Sequence, residues 1–309
     1  VPAPSTVHID AALTGFVTKE GQFDGVATAV APAFPTIHKS DKYYKFGTEW
    51  LNANDVKPRA ARAQSGEGRW AIGQGSFTCQ EYPFKTAVEQ DTIDNADPQI
   101  DPMGNASLYV KSVVMLAWEQ RINTMLLATG NFTTVTGAGA AWTSNTQEAD
   151  VDTAKEAVAV NSGKEANTIV ISPGLAKVLK RNSNIRDLVK YTDPSLLVNG
   201  DLPPVLWGLK VVIPGARQVT AIEGQTQTPA RMYTYSAAAT KVQVLYVDPN
   251  AGNLSITWAS TMRWSKFGIG GEGVRTWFVD DGRYWYAEYA TYQTEFLVSA
   301  NCGAMITGC

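Results

Sequence analysis

The sequence predicts a mixed α+β fold on three observations: one long amphipathic helix over residues 105–128, alternating helix and strand through 150–215, and a strand-rich stretch from 230 onward. Its 309 residues make one large domain or two ordinary ones, with ample capacity for a buried core. Charged residues are 18% of the chain, below the roughly 25% usual for soluble domains. Aromatics reach 10%, with nine tryptophans. Interface cores lose charge and gain Trp and Tyr, so this balance suits a chain that lives among copies of itself.

Residues 1–38 read as an extended arm. Pro32 and Pro35 interrupt isolated apolar positions (Leu13, Phe16, Val17, Phe23), and no helical stripe links them. Too little apolar mass is present to close a core, so the arm is expected to be ordered by lying on another surface. Residues 39–90 read as a long β-ribbon with candidate strands at 43–46, 68–72 and 76–82 and a Gly-rich turn at Ser65-Gly66-Glu67-Gly68. An isolated ribbon is marginal in water and needs a surface to rest on. Next comes an acidic patch, Glu89, Asp91, Asp94, Asp97 and Asp101, with no Lys or Arg among them. It lacks the central Gly and terminal Glu of a calcium loop and reads as a solvated hinge leading to a helix start at Asp101-Pro102 or Asn105.

The helix over 105–128 is set by Leu108, Lys111, Met115, Trp118, Ile122 and Met125 at steps of three and four, with Val114 and Leu126 widening the stripe. At about 1.5 Å per residue it is roughly 35 Å long, enough to serve as the backbone of an elongated domain. Glu119 and Arg121 fall off the stripe and are expected to be solvated or inter-subunit. A second helix is expected at 149–161 on Val151, Ala154 and Val158. Buried strands follow at 168–172 and 209–213, with a Pro173-led helix and a segment from Ile185 to Tyr191 between them, where Leu188 and Val189 are core candidates. Strands are then expected at 231–235, 241–247, 254–259, 274–279 and 284–298. The last is so aromatic between Tyr284 and Tyr292 that both its faces should be covered.

Several classes are excluded or weakened. A net charge of −3 lacks the basic field of a dedicated nucleic-acid reader. No stretch approaches the roughly 18 apolar residues of a membrane span. The opening Val1-Pro2-Ala3-Pro4 has no basic or apolar signal region, so no signal peptide is expected. Cys79, Cys302 and Cys309 are odd in number and lack metal-ligand spacing, and are expected to be reduced thiols of an intracellular product. His8 and His38 lie in or beside the arm with no cysteine near in sequence and no GxSxG elbow, so neither a zinc site nor a serine triad is expected, and no cofactor is implied. Gly268-Ile269-Gly270-Gly271-Glu272-Gly273 formally matches a dinucleotide fingerprint, but a strand follows it where a helix must open, so it reads as a β-turn or loop. Asp280-Asp281, or Glu288 with Glu295, leave open a carboxylate-dependent glycosidase.

The basic residues Lys57, Arg59, Arg62 and Arg69 are interspersed with Asp55 and Glu67. They read either as a solvated ribbon tip or as a ribbon that pairs with the acidic patch of an adjacent copy. The inter-subunit contact candidates are Lys57, Arg59, Arg62, Arg69 and Trp70 on the ribbon and Glu89, Asp91 and Asp94 in the patch. There are no candidate catalytic or metal residues.

The order arm, ribbon, long helix, compact α/β region and returning strands resembles the Hong Kong 97 fold. The wording of several segments resembles tailed-bacteriophage major capsid proteins: Arg69-Trp70 with Cys79-Gln80-Glu81-Tyr82-Pro83, Trp118-Glu119-Gln120-Arg121-Ile122, Thr168-Ile169-Val170-Ile171-Ser172-Pro173, and Gly208-Leu209-Lys210-Val211. The resemblance spans nearly the whole chain and rests on order and spacing. It implies an N-terminal arm (1–38), an extended loop over a neighbour (39–90), a peripheral domain with its spine helix (91–149 and 246–309, the C-terminal strands completing its sheet) and an axial domain (150–245). It implies self-assembly into hexamers and pentamers of an icosahedral shell around double-stranded DNA, without sequence-specific binding or membrane contact. Scaffold, portal and decoration proteins become expected partners, with the scaffold separate or lost from a trimmed precursor. Assembly would occur in the host cytoplasm and the product would be the virion capsid, not an enzyme. An encapsulin-like nanocompartment shell shares these expectations apart from its contents.

Overall fold

The computed structural model describes Leu13 and residues 25–45, 56, 58, 59, 61, 62, 64, 65, 73–97, 101–139, 142, 146–190, 202–219, 221, 224–226, 228–233, 240–250, 252 and 255–309. Its first elements are α1 (Ala27–Val30), β1 (Ala33–Thr36), β2 (Ser40–Lys45), β3 (Gly73–Thr78), β4 (Gln80–Glu89), α2 (Gln90–Asp94) and the long helix α3 (Pro102–Leu127). The middle holds β5 (Thr134–Gly137), α4 (Gln147–Ser162), β6 (Thr168–Val170), α5 (Pro173–Leu179), α6 (Ser183–Lys190), β7 (Val205–Leu206), β8 (Leu209–Val212), β9 (Arg217–Val219) and β10 (Pro229–Arg231). The chain returns through β11 (Lys241–Leu245), β12 (Ala259–Trp264), β13 (Glu272–Val279), β14 (Tyr284–Leu297) and β15 (Gly303–Thr307). The expected strand at 68–72 and most of the arm lie outside the described residues, as do the side chains of Leu188 and Val189.

Two sheets organise these elements. In the first, β14 is the axis. Antiparallel β4 runs along one edge, and β13 followed by β12 runs along the other. β1 adds a parallel strand outside β12. In the second sheet the order is β5-β15-β11-β6-β8-β7. Helix α3 lies on the first sheet, where Val110 and Val114 meet Val274 and Tyr289. Its C-terminal half enters a larger core with Trp118, Ile122, Leu126, Trp258 and Met305. There it reaches the second sheet, since Lys241 Nζ and Gln243 Nε2 of β11 donate to the carbonyls of Leu127 and Leu126 at 2.6 and 3.2 Å. Both bonds satisfy carbonyls that the helix end leaves without partners, and the cation complements the helix dipole.

Local chemistry explains the helix bounds. Asp101 caps α3 by accepting the Gly104 N–H at 2.9 Å, with Pro102 in the first turn. Gly163 ends α4 in the left-handed region, at φ 67°. Ser172 accepts the Leu175 N–H to start α5. Helix α4 buries Val151, Ala154 and Val158, as their spacing predicts, in a core shared with Ile169, Leu175 and Val244.

Four expectations are corrected. The strand anticipated over 76–82 breaks at Cys79: β3 pairs with β2, while β4 pairs with β14. Cys79 is fully buried beside Tyr43, Phe77 and Met262, so the break folds the β2–β3 ribbon onto the sheet. The strand placed at 254–259 instead begins at Ala259 and runs to Trp264, where it gains both β14 and β1 as partners. The C-terminal strands do not all complete one sheet. β15 joins the second, with Ala304 and Ile306 facing one core and Met305 the other. Finally, Glu119 is fully buried rather than solvated.

Candidate inter-subunit surfaces and the charged seam beneath the long helix

Of the ribbon candidates, Arg59 and Arg62 are exposed, whereas Lys57, Arg69 and Trp70 lie outside the described residues. Arg59 donates to Ser65 Oγ at 3.2 Å. Arg62 adopts a positive φ of 70°, a turn conformation. In the acidic patch Glu89 is exposed at the end of β4 opposite Tyr284. Asp91 and Asp94 lie exposed on α2, where Asp94 accepts from Gln90 Nε2 at 2.8 Å. Among the described residues no ion pair joins either arginine to these carboxylates, and each carboxylate faces solvent.

Among the described residues, most of the ionic chemistry lies on the two faces of the first sheet, one of them the seam beneath α3. Side chains on β14 alternate, so Tyr289, Gln293 and Glu295 face α3 while Tyr286, Glu288 and Tyr292 face away. Arg121 of α3 grips Glu295 through two bonds of 2.8 and 3.1 Å and stacks over Tyr82 of β4 at 3.9 Å. Arg263 of β12 bonds Glu272 at 3.3 Å and lies over the Trp118 ring, while Tyr289 donates to the same Glu272 at 2.6 Å. On the opposite face Arg275 reaches Glu81 at 2.8 Å and Glu288 at 3.5 Å. Burial pushes the Glu288 carboxyl up from its ordinary value, and Arg275 partly restores it.

These partners bear on the glycosidase alternative. Glu288 and Glu295 are seven residues apart on one strand and therefore point to opposite faces, and each is held by an arginine. A pair that flanks a scissile bond must share one cleft. Asp280 and Asp281 form the tight turn between β13 and β14. The glycine pattern at 268–273 is likewise a turn, with Gly268, Gly270 and Gly271 all at positive φ between β12 and β13. Among the described residues no group of three His, Cys, Asp or Glu could hold a metal ion, and no helix is long and apolar enough to cross a membrane. Cys79, Cys302 and Cys309 are buried thiols, pushed up by burial to about 11, 11 and 12.

The aromatic strand is covered on only part of its length. Tyr289 and Ala290 are fully buried, but Tyr284, Trp285 and Tyr286 at the distal end are only partly so. There Lys85 lies over the rings of Tyr286 and Trp277 at 4.2 and 5.7 Å, and Tyr284 packs edge-on to Tyr286. Composition alone did not separate this half-open end from the covered one, because both read as aromatic strand.

No family model and no curated protein matches the chain. Solved structures do. A phage-related protein from Bordetella bronchiseptica RB50 is 18% identical over 98% of both chains, with a TM-score of 0.72. The capsid of cyanophage P-SCSP1u is 9% identical over 99% of this chain and 92% of that one, with a TM-score of 0.61. The holo-SrpI encapsulin complex of Synechococcus elongatus PCC 7942 is 11% identical over 100% and 92%, with a TM-score of 0.56. Two sheets bridged by one long helix, matched over nearly the whole chain by a phage-related protein, a phage capsid and an encapsulin, identify the architecture of this chain as a Hong Kong 97-like capsid fold.

Proposed function

We propose that this chain is a tailed-phage major capsid protein that assembles into hexamers and pentamers of an icosahedral shell enclosing double-stranded DNA. The observation that carries the reading is the fold likeness, over nine-tenths or more of the chain, to two phage capsid structures and an encapsulin complex. In this reading 1–38 is the arm, 39–90 the extended loop, 91–149 with 246–309 the peripheral domain and 150–245 the axial domain. The exposed Arg59 and Arg62, and the exposed Glu89, Asp91 and Asp94, are free of ion pairs to one another within the described residues and so available to neighbouring copies. Each contact can be weak, because closure of a shell requires several to break together before a subunit leaves. A net charge of −3 suits a container, since a strongly basic wall would bind packaged DNA tightly and salt-dependently. Scaffold, portal and decoration proteins, assembly in the host cytoplasm and residence in the virion belong to the same proposal.

Negative-stain microscopy and light scattering of the purified protein test it. Closed particles of uniform size are the expected result. A monomer that persists at high concentration with assembly factors present overturns the reading. The likeness to the encapsulin complex supports a second reading, a nanocompartment around a protein cargo. Particle contents decide between them: nuclease-protected DNA favours the capsid, co-purifying protein the compartment.

A further inference from the structure

Glu119 sits in the second half of α3, fully buried, and each of its carboxylate oxygens accepts a backbone N–H at 2.8 Å, one from Val26 and one from Ala27. These N–H groups open α1, a four-residue helix with no side-chain cap of its own, so a carboxylate 93 and 92 positions away does the capping. Val26, Ala27, Val30 and Ala31 are buried against Trp118, Ile122 and Tyr233 in the same core. Immediately beyond, Thr261 fixes the segment by donating its hydroxyl to the Ala31 carbonyl and its N–H to that of Pro32, both at 3.1 Å.

The polar surroundings of Glu119 are sparse. From the 26–31 segment it receives the two N–H groups, and from the loop after β10 it meets the hydroxyl of the buried Tyr233. The cations of the neighbouring elements are engaged elsewhere: Arg121 of α3 with Glu295, and Arg263 of β12 with Glu272 and the Trp118 ring. Lys111, further up α3, faces Glu272 and Arg263. Among the described residues no cation pairs with Glu119. A charge held in an apolar core without a counter-ion is costly, and two backbone donors offset only part of that cost.

We propose that docking of residues 26–31 onto the long helix takes up a proton at Glu119, so that the segment is held tightest in acid and loosens as pH rises. Undocking admits water to the carboxylate and returns it to the ordinary carboxylate range. Burial pushes the docked carboxyl up from 4.5, against the two N–H groups and the Tyr233 hydroxyl, which favour the charged form. A group with a raised value in the docked state stabilises that state fully below the undocked value and loses the contribution as pH rises through the docked one.

Hydrogen exchange of the full chain between pH 5 and pH 8, expressed as protection factors, tests this. In the wild type, protection over 26–31 falls with rising pH, by up to about tenfold per unit for one coupled proton, while β11 keeps its protection. In Glu119→Gln, which cannot ionise, protection over 26–31 is flat with pH. A flat wild-type profile, or the wild-type slope in Glu119→Gln, overturns the proposal. If Glu119→Gln fails to protect β11, Tyr233→Phe decides. Without the hydroxyl that favours the charged form, its protection over 26–31 at pH 8 drops below wild type by more than at pH 5. An equal or smaller difference overturns the proposal.

Discussion

Replacing Arg121 by Ala should destabilise the unassembled subunit by about 2–3 kcal/mol. The guanidinium makes two bonds to Glu295, whose side chain is only 6% exposed, while Arg121 itself is 27% exposed. Breaking a buried pair from one side costs ~3–5 kcal/mol because the other charge is stranded. Partial exposure of Arg121 lets water reach the stranded carboxylate, and Gln293 Nε2 still donates to it at 2.9 Å, so the ionic part is cut to about 2 kcal/mol. Loss of the contact over Tyr82 at 3.9 Å adds about 0.5–1 kcal/mol. The assay is urea unfolding followed by tryptophan fluorescence, with Arg121→Ala, Glu295→Gln and the double variant compared at the same transition. In the double variant no buried charge is left without a partner, so its loss should fall short of the sum of the singles by about 1–2 kcal/mol. An Arg121→Ala variant within about 0.5 kcal/mol of wild type, or strict additivity, would refute the seam as a stabilising link between helix and sheet.

Three further outcomes are expected. A Cβ on Gly303 would lie 2.6 Å from Cδ1 of the buried Trp258 and 3.0 Å from the Phe132 ring, so Gly303→Ala should lower stability by roughly 1–3 kcal/mol, read as a fall in melting temperature. Thr261→Val keeps the volume but leaves the Ala31 carbonyl without its 3.1 Å donor; a loss of about 1 kcal/mol is expected, with exchange rising first in residues 26–36. Deletion of residues 55–69 should leave a folded subunit that assembles poorly. Normal particle yield, or loss of folding by circular dichroism, would show that the ribbon is not an inter-subunit loop.

Legibility in the sequence tracked the range of the interactions involved. The stripe that includes Val114, Trp118 and Ile122 announced α3, and of the two starts the sequence offered, Asp101-Pro102 and Asn105, the first begins it, because helix periodicity and capping are properties of neighbouring residues. The strands at 168–170 and 209–212 were visible for the same reason, but only the first is buried throughout, as expected; in the second Leu209 alone is buried, Lys210 is exposed and Val211 and Val212 are half-buried. Lys111 could be placed on the buried stripe by spacing alone, and it is 4% exposed. Glu119 could not, since its burial depends on two N–H groups from more than ninety residues away. The exposed surface candidates, Arg59, Arg62, Glu89, Asp91 and Asp94, are legible as charges, but the residues that would meet them belong to another copy.

By itself the sequence determined the kinds of elements and their order: one long capped helix, an α/β middle, an alternating aromatic strand near the end. Only the tertiary structure decided which strands pair. It set β4 and β13 on either side of β14, added β1 in parallel beside β12, split the ribbon from β4 at Cys79, and sent β15 to the second sheet. The physical reason is that a strand's alternation specifies which faces it will bury, while the partner for its edges is chosen by the hydrogen bonds and cores available once distant segments meet. The same holds for Glu119, Glu272 and Glu295, whose carboxylates enter the interior where a remote arginine, tyrosine or backbone N–H meets them.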